Sequence, residues 1–328
     1  MLGSRTSPYL QSKLVLLGCE QVFSLVPALV ESLLGIHVSQ SQAYRTTQRA
    51  AFVADEGVID EPSVSLTQEL SCPEQIVYGM VDGSMLLTHQ GWQETKVGRV
   101  FEAHLAEEPP LAEAPQDVER QAQERQAELN WQMGPSEYVA LRGDHQEFAQ
   151  KFEQLYPPDS ACRKVLVTDG ALWLGKWLKD KYPSATHILD YYHLKQKLAL
   201  AAQTTTHGQD WLQEQEESLF QGRQLAVERA VEALAHLDQR SKDQLLEYLK
   251  NNRYRTRYDL YRKEGLLISS GPVEAAHRTV LQVRMKRSGQ RWSERGCDRM
   301  VLLRAAYKSE KFDLITDLFR QQNYQCAA

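Results

Sequence analysis

Two short apolar runs that close on the same dipeptide constrain this chain most. QIVYGMVDGSMLL reaches Asp82-Gly83, and KVLVTDGA (Lys164 to Ala171) reaches Asp169-Gly170. Short runs rich in β-branched residues and ended by turn formers read as sheet strands rather than helices. KVGRVFEAHL (Lys96 to Leu105) and THILDYYH, ending near Asp190, read as further strands. Between them, HQEFAQKFEQLY has helical spacing, and so does LWLGKWLKDKY, with apolar residues at Leu172, Trp173, Trp177 and Leu178. Strands alternating with helices predict an α/β sheet.

That pattern is interrupted. From Leu194 to Leu260 there is no proline and almost no strand signature, only a composition rich in Gln, Leu, Glu, Ala and Lys, which predicts an all-helical insertion. SSGPVEAAHRTVLQVRMKRSG then reads as one helix with Pro272 at its first position and Gly289 past its end, and Ser293 caps another helix to about Lys308. Ser7 to Ala51 also reads as helices. Within it, PALVESLLGIHVSQSQAYRTTQRA resembles a helix-turn-helix, with Gly35 at the turn, Ser39 as cap, and Gln40, Gln42, Arg45 and Thr46 on a polar face. An ordinary helical hairpin fits those residues too. The expected division is a helical N-terminal region (1–70), the first part of the core (71–193), the insertion (194–265) and a C-terminal helical part of the core (266–328).

The formal net charge of −5 does not announce a nucleic-acid binder, but its distribution is polar. Glu102 to Glu128 holds eight acids against two arginines, in a Pro/Glu/Gln-rich stretch that reads as an exposed excursion from Ala106 to about Met133. Arg253 to Arg291 holds ten basic residues against three acids, as expected of a face turned to a polyanion, although charge runs are also ordinary solvated helix faces. Five cysteines (Cys19, Cys72, Cys162, Cys297, Cys326) without a CxxC pair suit a reducing cytoplasm. The opening MLGSRTSPYLQSKLVLLG lacks the apolar stretch of a signal peptide, and no run approaches a membrane span.

Asp82 and Asp169 each follow an apolar strand, which should project both carboxylates from strand ends at the sheet edge, where ligands meet α/β sheets. Glu274 falls in the first turn of a helix flanked by basic residues. Three hard anionic ligands from separate elements, beside a basic surface, are the minimum set for two magnesium ions and a phosphodiester. Each acid also has a plainer reading: Asp-Gly is a common turn, and a first-turn Glu complements the helix dipole.

The chain resembles the DDE transposases of bacterial insertion sequences, in the broad group related to Mutator-like elements. The likeness runs from SPYLQ (Ser7 to Gln11) to about Asp313. It is strongest in SSGPVEAAHRTVLQVRMKRSGQRWSERGCDRMVLLR, similar to the stretch around the family's catalytic glutamate. VDGS, WQETKVGRVF, VTDGA and ILDYYH follow the order of the other family blocks. The resemblance implies an RNase H-like mixed sheet flanked by helices, with Asp82, Asp169 and Glu274 as catalytic and metal-binding triad. It further implies two Mg²⁺ ions (Mn²⁺ as substitute) and DNA cleavage and strand transfer. The expected partners are transposon ends, target DNA and further copies of the chain, in the bacterial cytoplasm and at the nucleoid when bound to DNA. Asp190-Tyr191-Tyr192-His193 matches the family's Asp/Cys-x-x-His motif.

Asp190 also ends a strand and competes with Asp169 as second ligand; Asp169 is preferred because Asp190 and His193 have their own place in the family pattern. His193 is expected to orient a phosphate, to pair with Asp190, or to be structural. His277, one turn after Glu274, could support the site, with a solvent-facing position as the simpler reading. Arg278, Arg284, Lys286, Arg287 and Arg291 are expected to contact phosphates and Trp292 to stack on a base, with Gln42 and Arg45 as further DNA contacts. Gly170 to Lys176 fits GxxxxGK but is followed by Trp177 rather than Ser or Thr, and its interior has helical texture, which argues against a nucleotide-binding loop. Two rivals share these residues: a catalytically inactive or truncated DNA-binding derivative, and an RNase H-like nuclease without strand transfer.

Overall fold

The structure, a computed structural model, describes residues 6–55, 61–105 and 131–325. Most of the acidic excursion (106–130), and Cys326 with it, lies outside the described residues. Its expected last residues, Trp131 to Met133, instead open a strand.

Helices α1 (Pro8–Glu20), α2 (Val26–Leu34), α3 (Gln40–Asp55) and α4 (Val64–Ser71) come first. The local reading of α2 and α3 holds. Gly35 ends α2 with φ +64°, a left-handed conformation that costs little only without a Cβ. The Ser39 hydroxyl accepts the Gln42 N–H (3.1 Å) at the start of α3.

Five strands form one mixed sheet in the order β3-β2-β1-β4-β5. They are β1 (Ile76–Thr88), β2 (Gly91–Leu105), β3 (Trp131–Arg142), β4 (Arg163–Thr168) and β5 (Thr186–Leu189). β1, β2 and β3 are antiparallel neighbours, whereas β4 runs parallel to β1 and β5 to β4. Parallel pairing needs crossovers. α5 (His145–Leu155) precedes β4, and α6 (Leu172–Lys181) joins β4 to β5.

Side chains alternate between the two sheet faces. Val77, Val81, Val100 and Leu166 pack with Phe148 and Phe152 of α5 and with Leu174 and Leu178 of α6. Tyr78, Met80, Val97 and Val167 point the other way, into a larger core completed by helices from the second half of the chain.

That second half starts with the expected helical block: α7 (Tyr191–Ala202), α8 (Gly208–Phe220), α9 (Gln224–Glu232), α10 (Gln239–Asn252), a 3₁₀ turn (Arg253–Arg255) and α11 (Tyr258–Lys263). The block is pinned to the sheet. The Tyr258 hydroxyl donates to the Leu189 carbonyl (2.8 Å) and that of Tyr261 to His187 (3.1 Å). The fully buried Arg255 donates to the carbonyls of Thr168 (3.2 Å), Asp169 (3.2 Å) and Ile188 (3.3 Å). Buried carbonyls at strand ends need such partners.

The expected single helix after Ser270 is not uniform. α12 (Gly271–Ala276) passes through a π turn (His277–Gln282) into α13 (Val283–Met285). The buried Arg304 of α14 (Glu294–Lys308) donates to the carbonyls of Thr279 and Val280 within that turn, and to Cys19 of α1. α15 (Phe312–Gln325) completes the chain. Val15, Cys19, Ala50 and Ala54 of α1 and α3 share a core with Leu303, Ile315 and Phe319, so the first and last helices pack together. No helix among the described residues is long and apolar enough to cross a membrane.

Candidate active site

Sheet register places the acids. Val81 pairs with Thr168 at the last rung between β1 and β4, and Thr168 with Leu189 at the last rung between β4 and β5. Asp82, Asp169 and Asp190 each come next in sequence. Three acids therefore stand in one row across the three strands, at the carboxyl ends of β4 and β5 and partway along β1.

Asp169 and Asp190 follow strand ends as expected, but Asp82 does not close its strand. β1 continues to Thr88, with Asp82 opposite Val97 of β2. What ends there is the unbroken run of burial: Val77 to Val81 are buried, whereas Asp82 to Met85 alternate between half-buried and exposed before Leu86 is buried again, because β4 stops and β1 runs beyond it as a hairpin.

The three carboxylates differ in what they touch. Asp190 is fully buried and caps α7. One oxygen accepts the N–H groups of Tyr192 (3.1 Å) and Ser270 (2.9 Å); the other accepts the His193 N–H (3.2 Å) and the His193 ring Nδ1. Its lone pairs are committed. Asp169 is half-buried and accepts one N–H, from Ala171 (2.9 Å). Burial raises its pKa, and the charge of Asp82 adds to that, outweighing the Ala171 bond, His193 and Arg255. Burial pushes Asp82 in the same direction, yet its carboxyl is held below the ordinary range by His277, the Gly83 N–H and His193 together.

His277 is not solvent-facing. It is 4% exposed, and its Nε2 lies 3.2 Å from the Asp82 carboxylate. It opens the π turn, the kind of helix irregularity that recurs at functional sites. His193, partly exposed, is raised to about 9, first by its bond to Asp190 and then by the charges of Asp190, Asp82 and Asp169, against the opposing effect of burial.

Glu274 sits exposed on α12 and accepts from the Ser270 hydroxyl (3.1 Å). Three contacts fix the helix start over the sheet: Ser270 N–H to Asp190, His277 to Asp82, and the Arg99 guanidinium to the Pro272 carbonyl (2.7 Å). Glu274 lies between the first two along the chain. Among the described residues, however, no three His, Cys, Asp or Glu side chains are gathered as a ready metal cage.

The donors suit a hard divalent cation in kind, since Asp82, Asp169 and Glu274 all offer carboxylate oxygens that are not saturated by N–H donors as those of Asp190 are. Gly170 is a second requirement. A Cβ there would lie 2.1 Å from Cε2 of Tyr248, whose ring covers the Asp169 turn from α10.

The basic residues divide. Arg284 is fully buried. It donates to the Gly18 carbonyl (3.0 Å), lies between the rings of Phe23 and Trp292, and is pushed down to about 10 by burial. Trp292 is 6% exposed, with its indole N–H on the Met285 carbonyl (3.1 Å) and its backbone paired to the β1–β2 hairpin. Neither is available to DNA, correcting the expectation drawn from the charge run. Arg278 and Arg291 are exposed, and exposed Lys286 reaches the Ser84 hydroxyl (2.6 Å) beside Asp82. Arg287 is half-buried and donates to the Val283 carbonyl (3.0 Å). Gln42 is tied to the Thr6 hydroxyl (3.0 Å), whereas Arg45 is exposed. Gly175 and Lys176 lie inside α6, so no phosphate-cradling loop forms from that motif.

Arg255, Tyr248, Arg99 and Arg304 escaped the sequence reading. Nothing local in the sequence distinguishes them from surface residues; only their long-range partners do. In comparisons with known proteins, no family model and no curated protein matches this chain.

Proposed function

We propose that this chain is a DDE-type DNA transposase with an RNase H-like core, cutting and joining phosphodiesters with divalent-metal assistance at Asp82, Asp169 and Glu274. The observation that carries the proposal is the register. Asp82 on the central strand and Asp169 on its parallel neighbour both follow the Val81–Thr168 rung, and Glu274 stands on a helix tied to that edge. The order β3-β2-β1-β4-β5, three antiparallel strands then two parallel ones, supports the RNase H-like reading.

Asp82, Asp169 and Glu274 would hold the ions, which when bound stabilise the attacking and leaving oxygens of an in-line displacement. The chain's own groups prepare that site. His277 and the Gly83 N–H (2.7 Å) keep Asp82 ionised and fixed. Asp190 holds His193 as a cation where a phosphate meets two carboxylates, offsetting repulsion between anions. Arg255 and Tyr248 wall the site from the helical block. Water is the nucleophile in cleavage, releasing a 3′-hydroxyl; that hydroxyl is the nucleophile in joining, with no covalent protein–DNA intermediate.

The test is nicking and joining of labelled donor DNA with Mg²⁺ or Mn²⁺, comparing the native chain with Asp82→Asn, Asp169→Asn and Glu274→Gln. Each substitution is expected to lower both products by roughly a thousandfold, equivalent to about 4 kcal/mol of transition-state stabilisation. Cutting without joining would favour the nuclease reading. DNA binding without any cleavage would favour the non-catalytic DNA-binding reading.

A further inference from the structure

A second cationic site lies away from the acids, in a cavity of about 420 Å³ between α3 and the start of α14. Arg45 and Arg49 stand one turn apart on α3, and Arg295 and Arg299 one turn apart on α14; all four line the cavity, with Tyr44 and Phe52. Arg45, Arg49 and Arg295 are exposed and Arg299 is half-buried. Among the described residues, none of the four has a carboxylate at ion-pair distance, although Arg142, Arg253, Arg257, Arg304 and Arg320 each do. Arg49 and Arg299 rest instead on the rings of Phe319 and Phe52.

Like charges one turn apart weaken a helix, and two such rows here face each other. Apolar packing of Ala50, Ala51 and Val53 against Leu302 and Ala306 holds the two helices together beside the cavity. The fold confines this charge, and Asp55 offsets it at Arg299 only from beyond ion-pair distance. Guanidinium groups pair in forked geometry with phosphate oxygens, which makes a phosphate oxyanion the fitting counter-charge. Tyr44 and Phe52 are 39% and 42% exposed, giving an apolar edge against which a sugar or base can rest.

We propose that this cavity binds the phosphodiester backbone of duplex DNA, as a gripping site separate from the acids. The proposal takes from the transposase reading only the identity of the polyanion. Of the four arginines, sequence pattern pointed to Arg45 alone; the site exists because α14 is packed beside α3.

The test is fluorescence anisotropy of the full chain with labelled duplex DNA of arbitrary sequence, over a potassium chloride series in EDTA, so that cleavage plays no part. Arg45→Gln/Arg295→Gln removes two exposed, unpaired charges. Lys176→Gln/Lys181→Gln, on exposed positions of α6, removes the same charge elsewhere. Loss of two phosphate contacts is expected to reduce the slope of log K against log salt by about 2 and to weaken binding roughly tenfold at low salt, with the α6 control near the native slope. Equal slopes for native chain and arginine variant overturn the proposal. So does calorimetric binding of inorganic phosphate that the arginine variant abolishes while DNA affinity is unchanged, which would assign the cavity to a free anion. An Asp82→Asn chain is expected to keep the full salt slope; if it does while the native chain never cuts DNA, the catalytic reading fails and this site stands.

Discussion

Nε2 of His277 lies 3.2 Å from the Asp82 carboxylate, and this contact joins the helix that carries Glu274 to the central strand of the sheet. Both side chains are largely shielded from water. Through it, a sheet residue and a residue far along the chain become parts of one site.

In the metal-free chain, His277→Gln should therefore raise the Asp82 titration midpoint, because burial persists while its main opponent is gone. Since the folded value is depressed, the stabilisation is present above the ordinary aspartate range and is lost as pH falls through the folded value. Carboxyl carbon NMR reads the midpoint directly. An unchanged midpoint would mean that the contact does not form in solution.

The Asp190–His193 pair predicts the opposite pH dependence. His193 is raised from 6.5 to about 9, so its stabilisation is complete below 6.5 and lost as pH rises through about 9. Melting temperatures of the native chain and His193→Gln, followed from about pH 6 to about pH 10, should converge at the alkaline end. Curves that stay parallel would remove the ion pair from the account.

Arg255→Met should cost about 3 kcal/mol in urea unfolding, since it leaves the carbonyls of Thr168, Asp169 and Ile188 without a donor. Arg255→Lys should recover little of this, because a single ammonium cannot span those acceptors. Recovery to native stability with lysine would show that charge alone matters there.

Gly170→Ala should destabilise the chain by roughly 1–3 kcal/mol through the clash with Tyr248. Combined with Tyr248→Ala, the two changes should be non-additive by about 1 kcal/mol or more, the ring having been the obstacle. Strict additivity would place the Tyr248 ring elsewhere in solution.

Much of the α/β order was legible locally. Apolar β-branched runs at Ile76 and Lys164, the caps Ser39 and Ser293, and the turn at Gly35 all depend on neighbours within a few residues. Strand length was not legible. The polar GWQET start of β2 is strand because it pairs with β1 beyond the end of β4, as at Ser84 with Thr95, and Trp131 to Met133 are strand because β2 is there to pair with.

The candidate site divides along the same line. Asp169 and Glu274 stand out in the sequence because their flanks mark strand and helix boundaries, which short-range propensity is enough to draw; Asp82 stands out by its Asp-Gly pair, although β1 continues past it to Thr88. The sequence also determined that a cationic region would follow the helical block. Only the tertiary structure decided that Arg284 and Trp292 face inward, that His277 turns onto Asp82 through a π turn, and that Arg295 and Arg299 meet Arg45 and Arg49 across two helices. Burial and charge pairing are set by what long-range packing brings near a residue, and a charge written in the chain carries no record of the partner it will meet.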